Sequence, residues 1–132
     1  MKITADTNVL VRAVVGDNAR QAKAAQKTLA DAEAVALALP ALCEFVWVLR
    51  QGYGISVPDV ADALRRLIDS ANVTVNRPAA EAGLTMLSAG GDFADGAIAY
   101  EGAWLGGETF VSFDKRAVTV LSAQGEATQL LS

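Results

Sequence analysis

TFVSFDKRA, residues 109–117, is the stretch on which the fold turns. Its first five residues are β-branched or aromatic apart from one serine, so 109–113 reads as a short strand, and the strand runs directly into an acid, Asp114. Residues 2–5, KITA, repeat the arrangement near the start of the chain, where Asp6, Thr7 and Asn8 interrupt the apolar run. Two further segments read as strands. Residues 34–39 are apolar and stop before Pro40, and 72–76 (NVTVN) are closed by Arg77 and Pro78.

Helical patterns fill the intervals. From Asp17, a candidate N-cap, Ala22, Ala25, Leu29 and Ala32 recur at helical spacing, with Arg20, Lys23 and Lys27 on another stripe. Residues 42–53 read as helical. Ser56, Val57, Pro58 and Asp59 form a helix start, followed by an apolar face of Val60, Ala61, Leu64, Leu67, Ile68 and Ala71. Residues 79–88 have helical periodicity up to Gly90 and Gly91, Asp92 opens another helix to about 105, and Gly106 and Gly107 end it. With a last short strand over 128–131, this alternation predicts an α/β fold: a parallel sheet covered by helices on both faces.

Composition narrows the chemistry. At 132 residues and 52% hydrophobic, residues 1–132 are expected to form one domain with a substantial core. Cys43 is the only cysteine, which excludes an intrachain disulfide and, with no charged-apolar-small leader pattern, predicts a reducing, cytoplasmic location; the thiol is expected to be buried and inert. No apolar stretch approaches the roughly 20 residues needed to cross a bilayer, so no membrane association is expected. Histidine is absent, which removes Ser-His-Asp triads, Cys-His dyads and nearly all zinc sites. A net charge of −4 argues against a passive nucleic-acid binder, a sign that a divalent ion held by acids would reverse locally.

Ligands of open parallel sheets bind beyond the carboxyl ends of the strands. Asp6 and Asp114 occupy such ends, Glu44 begins the helix after the second strand, and Asp95 lies in the first turn of the helix leading to the fourth. Gathering four acids is unfavourable, since two like charges 4 Å apart repel by about 4 kcal/mol at an effective dielectric near 20. Magnesium or manganese would offset this, orient a water and neutralise a phosphodiester, so phosphodiester hydrolysis is the expected reaction. Each acid also has a plain structural reading. Asp6 with Thr7 and Asn8 reads as a turn, Glu44 as a side chain snorkelling from an apolar helix, and Asp114 equally well as the N-cap of a helix over 115–121. Asp92 and Asp95 form a D-x-x-D pair in which Asp92 is expected to cap and Asp95 to favour the positive helix end.

The chain resembles PIN-domain proteins, and within them the VapC toxins of bacterial VapBC toxin–antitoxin systems. The resemblance rests on ADTNVLVR at 5–12, an acid at 44 in an apolar helix, DFADGAIAYEGAWLGG at 92–107 and TFVSFDKRA at 109–117, and covers essentially the whole chain. It implies a three-layer α/β/α sandwich around a parallel five-stranded sheet, and a magnesium-dependent endoribonuclease, with manganese able to substitute, that arrests growth. It assigns Asp6, Glu44 and Asp95 to an acidic triad of catalytic metal ligands and Asp114 to a fourth such acid, with Thr7, Asn8 and Asp92 in support. Lys115 and Arg116, beside Asp114, are the RNA-contact candidates, ahead of the stripe of Arg20, Lys23 and Lys27. The resemblance also implies a homodimer, a VapB-type antitoxin that occludes the site, and contact with operator DNA only through that antitoxin. Trp47 and Trp104 are candidate contact residues, against the commoner role of aromatics as core.

Three rivals stand against this reading. A two-component receiver domain has similar length and sheet type but needs paired acids after the first strand, an aspartate after the third and a lysine after the last. Here Asp6 is alone, Asn76 follows the third strand, and the final segment lacks lysine. A haloacid-dehalogenase-like phosphatase needs Asp-x-Asp where this chain has Asp6-Thr7-Asn8. A housekeeping PIN nuclease of RNA processing is the nearer rival, separated from a toxin by whether a small antitoxin gene lies immediately upstream.

Overall fold

The computed structural model describes residues 1–132, which divide into two compact units, Met1–Asn76 and Arg77–Ser132. In the first, β1 (Lys2–Thr4), β2 (Ala34–Leu37) and β3 (Val73–Val75) form a parallel sheet in the order β1-β2-β3, with Ile3 opposite Val35 and Val35 opposite Val73. Parallel neighbours require crossovers, supplied by α1 (Thr7–Val14) and α2 (Ala19–Asp31) before β2, and by α3 (Leu39–Trp47) and α4 (Val57–Ile68) before β3. Leu10, Leu42, Phe45, Leu49, Val60 and Leu64 are fully buried.

Local chemistry sets the helix starts. α2 is capped by Asn18, whose Oδ1 accepts from Gln21 N–H at 3.0 Å, and not by Asp17 as the sequence suggests. Asp17 is engaged elsewhere: Arg12 donates to one of its oxygens and the Tyr53 hydroxyl to the other, each at 3.0 Å. α3 starts at Leu39, earlier than expected, because Pro40 suits a first turn whose N–H groups lack partners in any case. It ends in a wider, π-type turn over Val48–Gly52. Ser56 Oγ accepts from Asp59 N–H at 3.4 Å and caps α4 as expected. The Asn72 side-chain amide donates to the carbonyls of Leu29 and Ala32 at 2.9 and 3.0 Å, fastening the end of α2 beside β3.

The second unit contains α5 (Arg77–Ser88), α6 (Phe93–Trp104), β4 (Phe110–Ser112), α7 (Lys115–Ala123) and β5 (Thr128–Leu130). β4 and β5 pair in parallel, with Val111 opposite Gln129, and α7 makes the crossover. Met86, Ala117 and Leu121 form a buried cluster against Ala99, Phe110 and Val120. α5 and α6 pack at backbone contact. A Cβ on Gly83 would lie 2.5 Å from the Phe93 ring, and one on Gly96 would lie 2.5 Å from the Ala82 carbonyl oxygen.

The α/β class and the parallel pairing agree with the sequence reading; the single five-stranded sheet does not. The strands form one sheet of three and one of two. Four of the five strands are only three residues long, so each offers few ladder bonds. β4 is further confined between Gly106, which takes a left-handed φ of +98°, and the turn at Ser112 and Asp114. Cys43 is half-buried rather than buried. Trp47 and Trp104 are 61% and 77% exposed, so neither is core. No helix is long and apolar enough to cross a membrane.

Two predictions follow from packing and charge. Gly96→Ala should destabilise the protein by about 1–3 kcal/mol in urea unfolding followed by circular dichroism, because the added methyl meets backbone that cannot rotate away. Gly102→Ala, with nothing within 4 Å of its Cβ, should instead gain about 0.5–1 kcal/mol. For Asp17 the hydrogen bond from Tyr53, aided by Arg12, lowers the carboxyl pKa below 3.8 against the opposing effect of desolvation. A depressed acid contributes stability that is present above its unfolded pKa and lost as pH falls through its folded one. The unfolding midpoint of the wild type should therefore exceed that of Asp17→Asn at neutral pH, and the two should converge below 3.8.

Candidate active site

A helix that begins just after a strand leaves its first N–H groups without partners, and a short acid at the junction satisfies them. Asp6 does this for α1: its backbone is extended and its Oδ1 accepts from Val9 N–H at 3.2 Å. Asp114 does the same for α7, its Oδ1 accepting from Arg116 and Ala117 N–H at 2.9 and 3.2 Å. Ser112 Oγ accepts from the Asp114 N–H at 2.9 Å and fixes the turn from the other side. Each acid sits at the positive end of a helix dipole, and in each the Oδ2 atom lies outside the cap. Capping therefore orients these carboxylates and leaves one oxygen of each for other chemistry.

In the first unit, Thr7 and Asn8 form the opening turn of α1 behind Asp6. Asn8 also lines a groove of about 420 Å³ between α1 and α2, together with Val9, Arg12, Gln21 and Thr28. That groove contains no carboxylate, so acid-based hydrolysis does not belong to it. Glu44 is exposed on α3 among buried Leu42, Phe45 and Val46, and makes no ion pair. The cations of α2 lie in solvent, Lys27 pairing with Asp31 at 2.7 Å.

The second unit brings Asp92, Asp95 and Asp114 within electrostatic reach of one another. Burial, and then the charges of Asp92 and Asp114, push the Asp95 carboxyl above its ordinary value of 3.8. Asp92 holds the N-cap position of α6, but its side chain makes no capping hydrogen bond, contrary to the role expected for it. Its carbonyl takes the work instead, accepting from Asp95 N–H at 3.1 Å. Lys115 and Arg116 are both exposed, and the Arg116 guanidinium donates to the Gly90 carbonyl at 2.8 Å. Sequence reasoning missed the contacts that set Asp95 in place, namely Gly83 against Phe93 and Gly96 against the α5 backbone. Glycines inside helical patterns were the available signal.

No three His, Cys, Asp or Glu side chains are grouped closely enough to hold one metal ion between them. Zinc or calcium, which take most of their ligands from protein, is poorly matched to this donor set. Magnesium keeps several waters and needs only one or two carboxylates, so the hard oxygens around Asp95, with their unrelieved repulsion, fit it.

Parallel strands whose ends carry helix-capping acids, and a half-buried aspartate raised by burial and then by its acidic neighbours, describe an α/β protein that gathers negative charge at the start of α6 and α7. The chain belongs to the PIN-domain family, whose model matches residues 3–120 and so spans both units. PIN domains are generally metal-dependent nucleases. No curated protein sequence matches the chain significantly.

Asp95→Asn removes a charge that the fold opposes. Because the folded pKa is raised, the unfavourable term is fully present above that pKa and absent below 3.8. The variant should be more stable than wild type at neutral pH by a few tenths to about 1 kcal/mol, discounted for partial exposure, with the gain vanishing in acid. A urea series across pH measures this; a destabilised variant would show that Asp95 acts mainly on the helix start.

Proposed function

We propose that the protein is a magnesium-dependent endoribonuclease of the VapC type, the toxin of a cytoplasmic toxin–antitoxin pair. The observation that carries this reading is the uncompensated negative charge around Asp95, in a chain that belongs to a family of metal-dependent nucleases. Asp6, Glu44, Asp95 and Asp114 are the acids assigned to metal and catalysis, with Thr7, Asn8 and Asp92 in support. When bound, magnesium (or manganese in its place) orients a water and neutralises charge on the phosphodiester. The protein's own share is to hold its carboxylates ready. Asp6 and Asp114 are oriented by their caps, and Asp95 is fixed by the close contact of α5 and α6.

With a net charge of −4, RNA attraction depends on this local reversal of sign and on cations beside it, of which Lys115 is exposed and makes no ion pair. The exposed Trp47 and Trp104 support contact surfaces for a second copy or for a VapB-type antitoxin, through which alone operator DNA would be bound.

The purified protein should cleave RNA with magnesium or manganese, lose activity in chelator, and lose at least about a hundredfold in Asp6→Asn and Asp95→Asn, a loss at or above that seen when metal-ligand neighbours are removed. Cleavage that survives chelator and Asp95→Asn alike would overturn the assignment. Induced expression in bacteria separates toxin from housekeeping nuclease: arrest by wild type alone supports the toxin, and growth despite soluble, active enzyme supports RNA processing.

A further inference from the structure

Arg116 is the second residue of α7, next to the RNA-contact candidate Lys115, and although the residue is exposed its guanidinium bonds to the protein's own backbone. Nη1 donates to the carbonyl oxygen of Gly90 at 2.8 Å, across 26 residues of sequence. The same residue's main-chain N–H donates to Asp114 Oδ1 at 2.9 Å. Gly90 belongs to the short connection between α5 and α6 and takes a left-handed φ of +93°, a conformation that a residue with a β-carbon would strain to adopt. The following N–H, of Gly91, bonds to the Met86 carbonyl at 2.9 Å and closes α5. Asp92 comes next in the chain, and Asp95 one turn later.

One residue is therefore bonded to the carboxylate that begins α7 and to the loop that begins α6. Those two helix starts carry Asp114 on one side and Asp92 and Asp95 on the other, whose mutual repulsion favours their separation. We infer that Arg116 is a positioning residue: its bond to Gly90 holds the start of α6 at a set spacing from Asp114, so that the three carboxylates keep a fixed geometry in the absence of cation. The guanidinium suits this task because it remains charged at all working pH values and its planar donors are directional. Lys115, in contrast, has no tie and is left for RNA.

This inference rests on the nuclease reading, and the experiment separates the two. Mn²⁺ affinity by calorimetry, RNA cleavage kinetics and amide hydrogen exchange over residues 90–95 are measured on the full chain for wild type, Arg116→Ala, Arg116→Lys and Lys115→Ala. Arg116→Ala should weaken Mn²⁺ binding and lower kcat by about 10–100-fold, the range for groups that orient metal ligands, with KM for RNA within about twofold. Arg116→Lys, which retains a donor, should recover part of both. Lys115→Ala should raise KM and reduce the salt slope by about 1 without changing Mn²⁺ affinity.

A KM effect in Arg116→Ala with unchanged Mn²⁺ affinity would overturn the inference and make the guanidinium an RNA contact. If the wild type neither binds Mn²⁺ nor cleaves RNA, the nuclease reading fails while the exchange data still decide the positioning role. Exchange over 90–95 should accelerate at least about tenfold in Arg116→Ala and recover in Arg116→Lys, and unchanged exchange would show that the bond holds nothing.

Discussion

The structure depends on how a strand gives way to a helix without leaving amide groups unpaired. At β1–α1 and β4–α7 the solution is the same, an aspartate two residues beyond the strand whose Oδ1 accepts from the first turn. A serine or asparagine would cap as well. The difference a carboxylate makes is a full negative charge, held still, with a second oxygen outside the cap. Structural and catalytic readings of such an acid are commonly set against each other, but here the capping bond is what gives the carboxylate a defined direction.

Much of this was legible from residues alone. KITA and TFVSF announced β1 and β4 by composition, and the acids after them fell where expected, with Asp114 taking the N-cap position of α7 that one of its two readings gave it. The Ser56-Val57-Pro58-Asp59 start was read correctly because capping is a local interaction between neighbours in sequence. Asp95 was correctly placed in a first turn, and the repulsion anticipated on general grounds is present around it.

Other features were hidden for a different physical reason, because they involve a partner distant in sequence. Asp17 reads as a cap until Arg12 and Tyr53 are found on its two oxygens. Arg116, an RNA-contact candidate from its place beside Asp114, also donates to Gly90 on another connection, a tie that neighbours in sequence do not disclose. The closeness of α5 and α6 rests on Gly83 and Gly96, whose place inside helical patterns signals a close contact without naming the partner a methyl there would strike. Division of the strands into three and two likewise reflects the shortness of the ladders, which residue preferences estimate poorly.

The two tryptophans carry an experimental consequence. Trp47 lies largely in solvent, and Trp104, whose ring N–H donates to the Tyr100 hydroxyl at 2.7 Å, is more exposed still. Their indoles already experience water in the native state, so emission is red-shifted and open to aqueous quenchers before any unfolding occurs. Intrinsic fluorescence is consequently a weak gauge of whether this protein is folded and a sensitive one of whether something has covered its surface.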